Sequence, residues 1–452
     1  MKTILLISAN RHCVPYPVYP LGVSYLRGYL ERTLSDFNVE VFDCNLGSNH
    51  DLGVLIKRLN PSYIGISLRN VDGANSLDRS SFISGYKEIV DTVRASSSNP
   101  IIIGGAGFSI YPQAIFDELK PNYGIVGEGE ESLRQIIMAL EVGDDPSAIE
   151  GVVCYKDRQF ICNGHTKYLK SLSVSFEQSL TNFYWQKSGM LNIQTKRGCP
   201  YSCIYCSYPL IDGRIVRTLD TDLIVDNIAR LNKDEGISYL FFTDSVFNIS
   251  NDYNAELAEK LIKSGLRIRW GAYFSPSNLT DEMLGLYRAS GLTHVEFGTE
   301  SFSDTQLKNY GKRFTFSDVL ESSELCLKHN IYYAHFLILG GYGETDATIR
   351  ETIENSKRMS YSVYFPYMGM RIYPRTKLQQ LAIAKGVISA EDDLLNPTYY
   401  LEDGFDIEKV KKMAMDTGKA WIFPDDPIND GMEFIRTKKN KKGVLWEYLR
   451  KP

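Results

Sequence analysis

"KRGCPYSCIYCSYP", residues 196–209, sets three of the chain's eight cysteines within eight positions. Cys199, Cys203 and Cys206 follow C-x3-C-x2-C spacing in a loop that also carries Gly, Pro and Tyr. Structural zinc normally closes its shell with four ligands, and iron–sulfur clusters are normally held by four thiolates. No fourth Cys or His lies close by: His165 is well upstream and His294 far downstream. Three thiolates therefore suggest a cluster with one iron left open to an exogenous ligand. Two blander readings stand beside it, a chance grouping of structural cysteines and a three-ligand zinc site completed from a distance.

The loop follows a strand expected near 191–196. Further strands are expected near 237–243, 267–273, 292–298, 331–339 and 362–368, with helices near 219–234, 253–264, 280–290, 316–329 and 345–359 between them. Six strands with right-handed crossovers suit a partial (β/α)6 barrel of the TIM type, with its chemistry at the carboxyl-end loops. Upstream, the apolar runs "TILLIS" (3–8), "VEVFDC" (39–44), "YIGISL" (63–68), "PIIIGG" (100–105) and "YGIVGEG" (123–129) alternate with helical patterns. That alternation predicts a doubly wound, Rossmann-like parallel sheet with its ligand site beyond the strands' carboxyl ends, where "SLRN", "GGAG" and "GEGEE" stand. Residues 150–162 read as a hairpin turning at Lys156–Arg158, and 163–190 as a polar linker. The expected organisation is α/β throughout: a Rossmann-like domain over 1–145, hairpin and linker over 146–190, the barrel over 191–369, and a C-terminal capping extension over 370–452.

Composition narrows the class. A chain of 452 residues exceeds one compact domain. A net charge of −5 gives no global attraction to nucleic acid or anionic membrane. No run of ~18 apolar residues occurs, so a cytoplasmic protein without a membrane span is expected. In that compartment cysteines read as metal-binding or catalytic rather than disulfide-bonded. Cys13, Cys44, Cys154, Cys162 and Cys326 read as small buried hydrophobes. The short basic run "RTKKNKKG" (436–443) reads as solvated surface, which makes nucleic acid an unlikely partner.

"CPYSCIYC" after a strand, at the mouth of a partial barrel, resembles the radical S-adenosylmethionine (radical SAM) superfamily. In that family three cysteines bind a [4Fe–4S] cluster, whose open iron chelates the amino and carboxylate groups of S-adenosylmethionine. The resemblance implies that Cys199, Cys203 and Cys206 hold the cluster and that Tyr205 lies beside the adenine. "YLFFTDSVFN" (239–248) matches the second strand's end near the cofactor's amino group, which implicates Asp244; relatives often have two acidic residues where this chain has Asp244-Ser245. "VEFGTESFSDTQLKNYGK" (295–312) matches the fourth strand, with Glu300 facing the cofactor. "LILGGYGE" (337–344) matches the fifth strand, shaping the adenine site through Leu339 and Gly341, while Glu344 orders the loop.

The segments "YPLGVSYLRGYLE" (19–31), "GGAGFSIYP" (104–112), "GIVGEGEESL" (124–133) and "RIYPRTKL" (371–378) are similar to the radical enzymes that carry a fused cobalamin-binding domain. The likeness runs to about residue 385. It implies a corrin between the N-terminal strand ends and the barrel mouth. The chain has no Asp-x-His-x-x-Gly segment to offer cobalt a histidine, and His12 and His50 stand in other contexts. The lower cobalt face would then meet Ser67, Leu68, Arg69 and Asn70. Gly104, Gly105 and Gly107 would admit the nucleotide tail, with Gly127 and Glu128 at the next strand end. A domain keeping only the fold is the alternative.

The implied chemistry begins with one-electron reduction of the cluster by a flavodoxin or ferredoxin and cleavage of the sulfonium to a 5′-deoxyadenosyl radical. With cobalamin, it leads to methylation of an unactivated carbon of a small molecule or peptide. Rearrangement, cyclisation or ring contraction is the alternative; RNA modification is more remote, since the further cluster cysteines of that class have no counterpart here. Tyr273, Tyr333, Tyr367, Tyr373 and Arg371, with Tyr332 and Tyr364, are the candidate substrate contacts.

Overall fold

The computed structural model describes residues 1–165, 168–169, 172, 174–426 and 428–451. Its first sheet contains β1 (Lys2–Ser8), β2 (Phe37–Asp43), β3 (Tyr63–Ser67), β4 (Ile101–Gly104), β5 (Tyr123–Ile125), β6 (Val152–Lys156) and β7 (Gln159–Cys162). The order is β2-β1-β3-β4-β5-β6-β7, parallel through β5. Helices cover both faces. Leu21–Thr33 and Glu130–Val142 pack against Ile4, Leu6 and Ile102, while Asn49–Leu59, Ile83–Ser96 and Pro112–Leu119 pack against Leu5, Ile64 and Ile103. Double coverage is why these strands read as unbroken apolar runs. The order reverses between β1 and β3, and a doubly wound sheet opens its ligand crevice at that point.

The hairpin β6–β7 extends this sheet antiparallel to β5 rather than standing in the linker. Its turn residues, Asp157 and Arg158, both take positive φ (48° and 64°), which matches the twist of a two-residue hairpin. Part of the expected linker is helical, at Gln178–Ser188; residues 166, 167, 170, 171 and 173 lie outside the described residues.

The second sheet is the barrel: β8 (Leu191–Ile193), a ribbon of β9 (Lys196–Arg197) and β10 (Arg217–Thr218), then β11 (Tyr239–Phe242), β12 (Arg269–Phe274), β13 (Leu292–Glu300), β14 (Tyr332–Leu339) and β15 (Val363–Met368). A short antiparallel pair follows, β16 (Met370–Arg371) with β17 (Tyr399–Tyr400), and then β18 (Ala420–Trp421). The main sheet runs β18-β15-β14-β13-β12-β11-β8, parallel throughout. The six expected strands are present, and the C-terminal segment adds a seventh. That segment also closes the barrel's lower end, where Trp446 and Val444 pack with Tyr239, Met190, Ala334 and Val363.

Buried ion pairs join the two units. Arg371 meets Asp72 at 2.8 Å, with side chains 3% and 1% exposed. Arg197, on the ribbon beside the cysteine loop, meets Glu130 at 2.8 Å and Glu128 at 3.5 Å. The carboxyl ends of the first sheet are thereby held against the mouth of the barrel. No helix among the described residues is long and apolar enough to cross a membrane.

Candidate active site

The cysteine loop is shaped by backbone constraints. Gly198 leaves β9 at φ 91°, where a Cβ would sit 2.0 Å from the carbonyl oxygen of Ile215 across the ribbon. Only glycine fits there. Cys199 N–H donates to Gly213 O, and Ile204 N–H donates to Tyr310 O at 3.1 Å. Gly311, at φ 76°, approaches Ser202 O so closely that a Cβ would lie at 2.8 Å. Cys199 is buried, while Cys203 and Cys206 are partly open, and all three are free. Among the described residues no three His, Cys, Asp or Glu converge on a single-ion site. A cluster asks less convergence, since each thiolate reaches its own iron. The other cysteines lie elsewhere. Cys44, Cys154 and Cys326 are buried as expected, but Cys13 and Cys162 are exposed, at a loop and a sheet edge.

Beside the thiols stands a triad that the sequence reading caught only in part. Tyr205 Oη donates to Glu300 Oε1 at 2.6 Å, and Lys312 Nζ lies 2.5 Å from Glu300 Oε2. The β13–β14 register slips between Gly298 and Glu300, and Glu300 takes φ 65°. This bulge re-aims the carboxylate toward the cysteine loop. Burial pushes the Cys206 thiol up to about 12 and raises that of Cys203, while the Lys312 ammonium opposes both shifts.

Between the two units lies a cavity of about 510 Å³. Ser67, Arg69 and Asn70, Gly104, Gly105 and Gly107, and Gly127 and Glu128 line one side. Ser207, Tyr208 and Asp212, directly behind the third cysteine, line the other with Thr243 and Tyr373. Gly105 takes φ 97°, and a Cβ there would lie 2.5 Å from Leu68 O, so the backbone itself forms the wall. Among the described residues no histidine lines this cavity. His165 Nε2 donates to Val126 O at 2.6 Å beneath Gly127, and His12 packs on the Phe82 ring. Arg69 projects into the space with no hydrogen bond or ion pair among the described residues. These features fit a large planar group held by backbone, with no side-chain ligand beyond the polar residues after β3.

Several expected contacts sit elsewhere. Asp244 is fully buried and saturated: it accepts from the N–H groups of Thr195 and Lys196, the Thr195 hydroxyl, and Lys196 Nζ at 2.7 Å. It is a latch under the cysteine loop, with no oxygen left for a cofactor. Leu68 is buried in the sheet core rather than facing the cavity. Leu339 points to the helix layer with Phe302 and Trp421, and Gly341 is buried where a Cβ would strike Tyr310 Oη at 2.5 Å. Tyr333 and Tyr364 also face the helices, donating to Ser360 O and Ser356 O. Every Arg371 nitrogen is engaged, by Asp72 or by the carbonyls of Ile372, Thr398 and Leu394. Glu128 does line the cavity, with its carboxylate held by Arg197 and Arg217. Tyr273 and Tyr367 do face the barrel interior, 38% and 37% exposed.

Comparison with known proteins agrees with this geometry. The family model of the radical SAM superfamily matches residues 193–355, and that of the B12 binding domain matches residues 7–137. The chain belongs to the radical SAM superfamily. Its B12-binding domain is the sheet that supplies the glycine-lined wall of the cavity, and its radical SAM domain supplies the cysteine loop. This radical SAM protein is 24% identical to the tryptophan 2-C-methyltransferase of Streptomyces laurentii, over 82% of the chain and 73% of that protein. It is 23% identical to an uncharacterised methyltransferase of Pyrococcus horikoshii, over 86% and 84% respectively. Its fold matches a radical S-adenosylmethionine methyltransferase from Kitasatospora setae, solved with cobalamin and a [4Fe–4S] cluster, at a TM-score of 0.87 and 20% identity over 99% of this chain and 97% of that one.

Proposed function

We propose that this chain is a cobalamin-dependent radical SAM methyltransferase acting on a carbon of a small molecule. One observation carries the reading: a single cavity is walled by the strand ends of the B12-binding domain on one side and by the residues following Cys206 on the other. When bound, the cluster and S-adenosylmethionine supply one-electron chemistry and a methyl group, and cobalamin supplies a carrier for that methyl.

The chain's own residues do the rest. Cys199, Cys203 and Cys206 would hold the cluster, with Lys312 placing a positive charge beside two thiolates. Tyr205 and Glu300 fix the loop's inner face by their hydrogen bond. The walls at Gly104, Gly105, Gly107 and Gly127 would hold the corrin through backbone, and Arg69 and Asn70 would stand beneath it. Among the described residues no histidine stands on that face, which suits a methyl carrier that must release its group. Asp244 and Lys196 keep the loop's base rigid and dry. A flavodoxin- or ferredoxin-type protein is the proposed reductant. Free thiols throughout the described residues suit a reducing cytoplasm.

The test is anaerobic reconstitution with iron, sulfide and cobalamin, followed by assay of S-adenosylhomocysteine. Its formation should require added cobalamin and vanish in Cys203→Ala. Formation of 5′-deoxyadenosine alone, independent of cobalamin, would favour rearrangement chemistry instead.

A further inference from the structure

Below the cysteine loop a carboxylate stands among aromatic side chains in the barrel interior. Glu296 stands midway along β13, and its Oε1 accepts from Trp446 Nε1 at 2.9 Å. No lysine or arginine pairs with it among the described residues. Its register neighbours are Tyr273 on β12 and Ala334 on β14. The next inward position on β13 is Gly298, where a Cβ would meet nothing nearer than the Glu300 carboxylate at 3.6 Å. Gly298 thus leaves room at the inward position next to Glu296.

Aromatic rings wall that room. Tyr273 and Tyr367 are more than a third exposed although they lie on interior strands of the sheet, so the space they face is open. The Phe241 ring meets Tyr273 edge-on at 4.9 Å, and Phe336 stacks on Phe365 at 5.1 Å. Tyr16 reaches the same space from the loop after β1. Burial first, and the Glu296 charge next, raise the phenol pKa values of Tyr16, Tyr239, Tyr273 and Tyr367. Burial lifts Glu296 itself to about 7, opposed only by the Trp446 indole.

A carboxylate taken out of water without a counter-charge is costly, and a cation brought to it restores much of that cost. Ring walls favour a flat ligand and attract a cation to their faces. We propose that this chamber is the substrate site, and that Glu296 anchors a planar aromatic small molecule through a protonated nitrogen. The assignment deepens the methyltransferase reading and rests on it only for what happens after binding.

The test uses holoenzyme loaded with cluster and cobalamin, titrated by calorimetry with tryptamine, 3-ethylindole and indole-3-propionic acid. The three share a ring and differ in the charge of the side chain. Tryptamine should bind at least ~10-fold more tightly than either of the others, as a charge-assisted contact requires. Glu296→Gln should reduce that preference to about twofold or less, and Glu296→Asp should keep part of it. Unchanged iron and cobalamin content in both variants excludes misfolding as the cause. Preference for the carboxylate, no binding of any probe, or a preference that survives Glu296→Gln would overturn the assignment. Loss of S-adenosylhomocysteine formation with the tryptamine preference intact would instead refute methyl transfer and leave the chamber's selectivity standing.

Discussion

Asp244→Asn distinguishes a structural latch from a cofactor contact. The carboxylate is completely buried and takes four hydrogen bonds, two from backbone N–H groups and two from side chains. Its amide replacement leaves the Lys196 ammonium, 2% exposed, without a counter-charge. Breaking a buried pair from one side costs about 3–5 kcal/mol. Burial already lowers the Lys196 pKa, with Asp244 opposing. Once Asp244 is neutral, Lys196 is expected to shed its proton, which holds the cost near the lower end of that range. The double variant Asp244→Asn with Lys196→Met removes both charges and should recover more than half of the loss. A chain with two units has no single unfolding midpoint. The assay is therefore native-state hydrogen exchange over residues 191–244, which reads the barrel locally. S-adenosylmethionine affinity of the cluster-loaded variant should stay within about threefold of the parent, as expected for a group that does not touch the ligand. Undiminished protection with a tenfold or greater loss of affinity would refute the reasoning and return Asp244 to the cofactor.

Two further outcomes follow from particular atoms. Gly198→Ala puts a methyl against Ile215 O at a strained backbone angle, at a cost of about 1–3 kcal/mol, and should lower bound iron after reconstitution; full iron content would contradict the loop geometry. Burial lifts Glu296 and Glu344 to about 7 each. Each folded-state carboxyl thus holds its proton above the unfolded value near 4.5, so both favour the folded state most at low pH and lose that contribution as pH rises to about 7. The loss is at most about 3 kcal/mol per group. Hydrogen-exchange protection of the barrel, corrected for the intrinsic exchange rate at each pH, should fall between pH 5 and 8, less steeply in Glu344→Gln, and a rise across that window would contradict the assignment.

Much of the fold was legible because its strands are covered on both faces and therefore appear as apolar runs between helical patterns. The same double coverage hid which way each strand residue points. "YYAHFLIL" has no polar alternation, so nothing in it marks that Tyr333 and Leu339 face helices. The setting of Asp244 is hidden for a different reason: its partner Lys196 lies 48 positions upstream, on the ribbon. The Asp72–Arg371 clamp spans 299 positions, and nothing local to "RIYPRTKL" marks Arg371 as already engaged. Lys312 and Glu296 left fainter signals. Glu296 is a charged residue inside the strand run "HVEFG", where a buried carboxylate is uncommon enough to flag. The cysteine spacing and the glycines at the strand ends were readable because backbone geometry fixes those residue types.

The most direct test of the central claim is corrinoid content after gel filtration of protein reconstituted anaerobically with cobalamin, for the parent chain and Ala106→Trp. Ala106 lines the cavity between the two units, and an indole there would fill the space assigned to the corrin. The parent should retain stoichiometric corrinoid, and Ala106→Trp should lose it while keeping its cluster iron. A parent chain that retains no corrinoid, or a variant that retains as much as the parent, would contradict the placement of cobalamin between the strand ends and the cysteine loop.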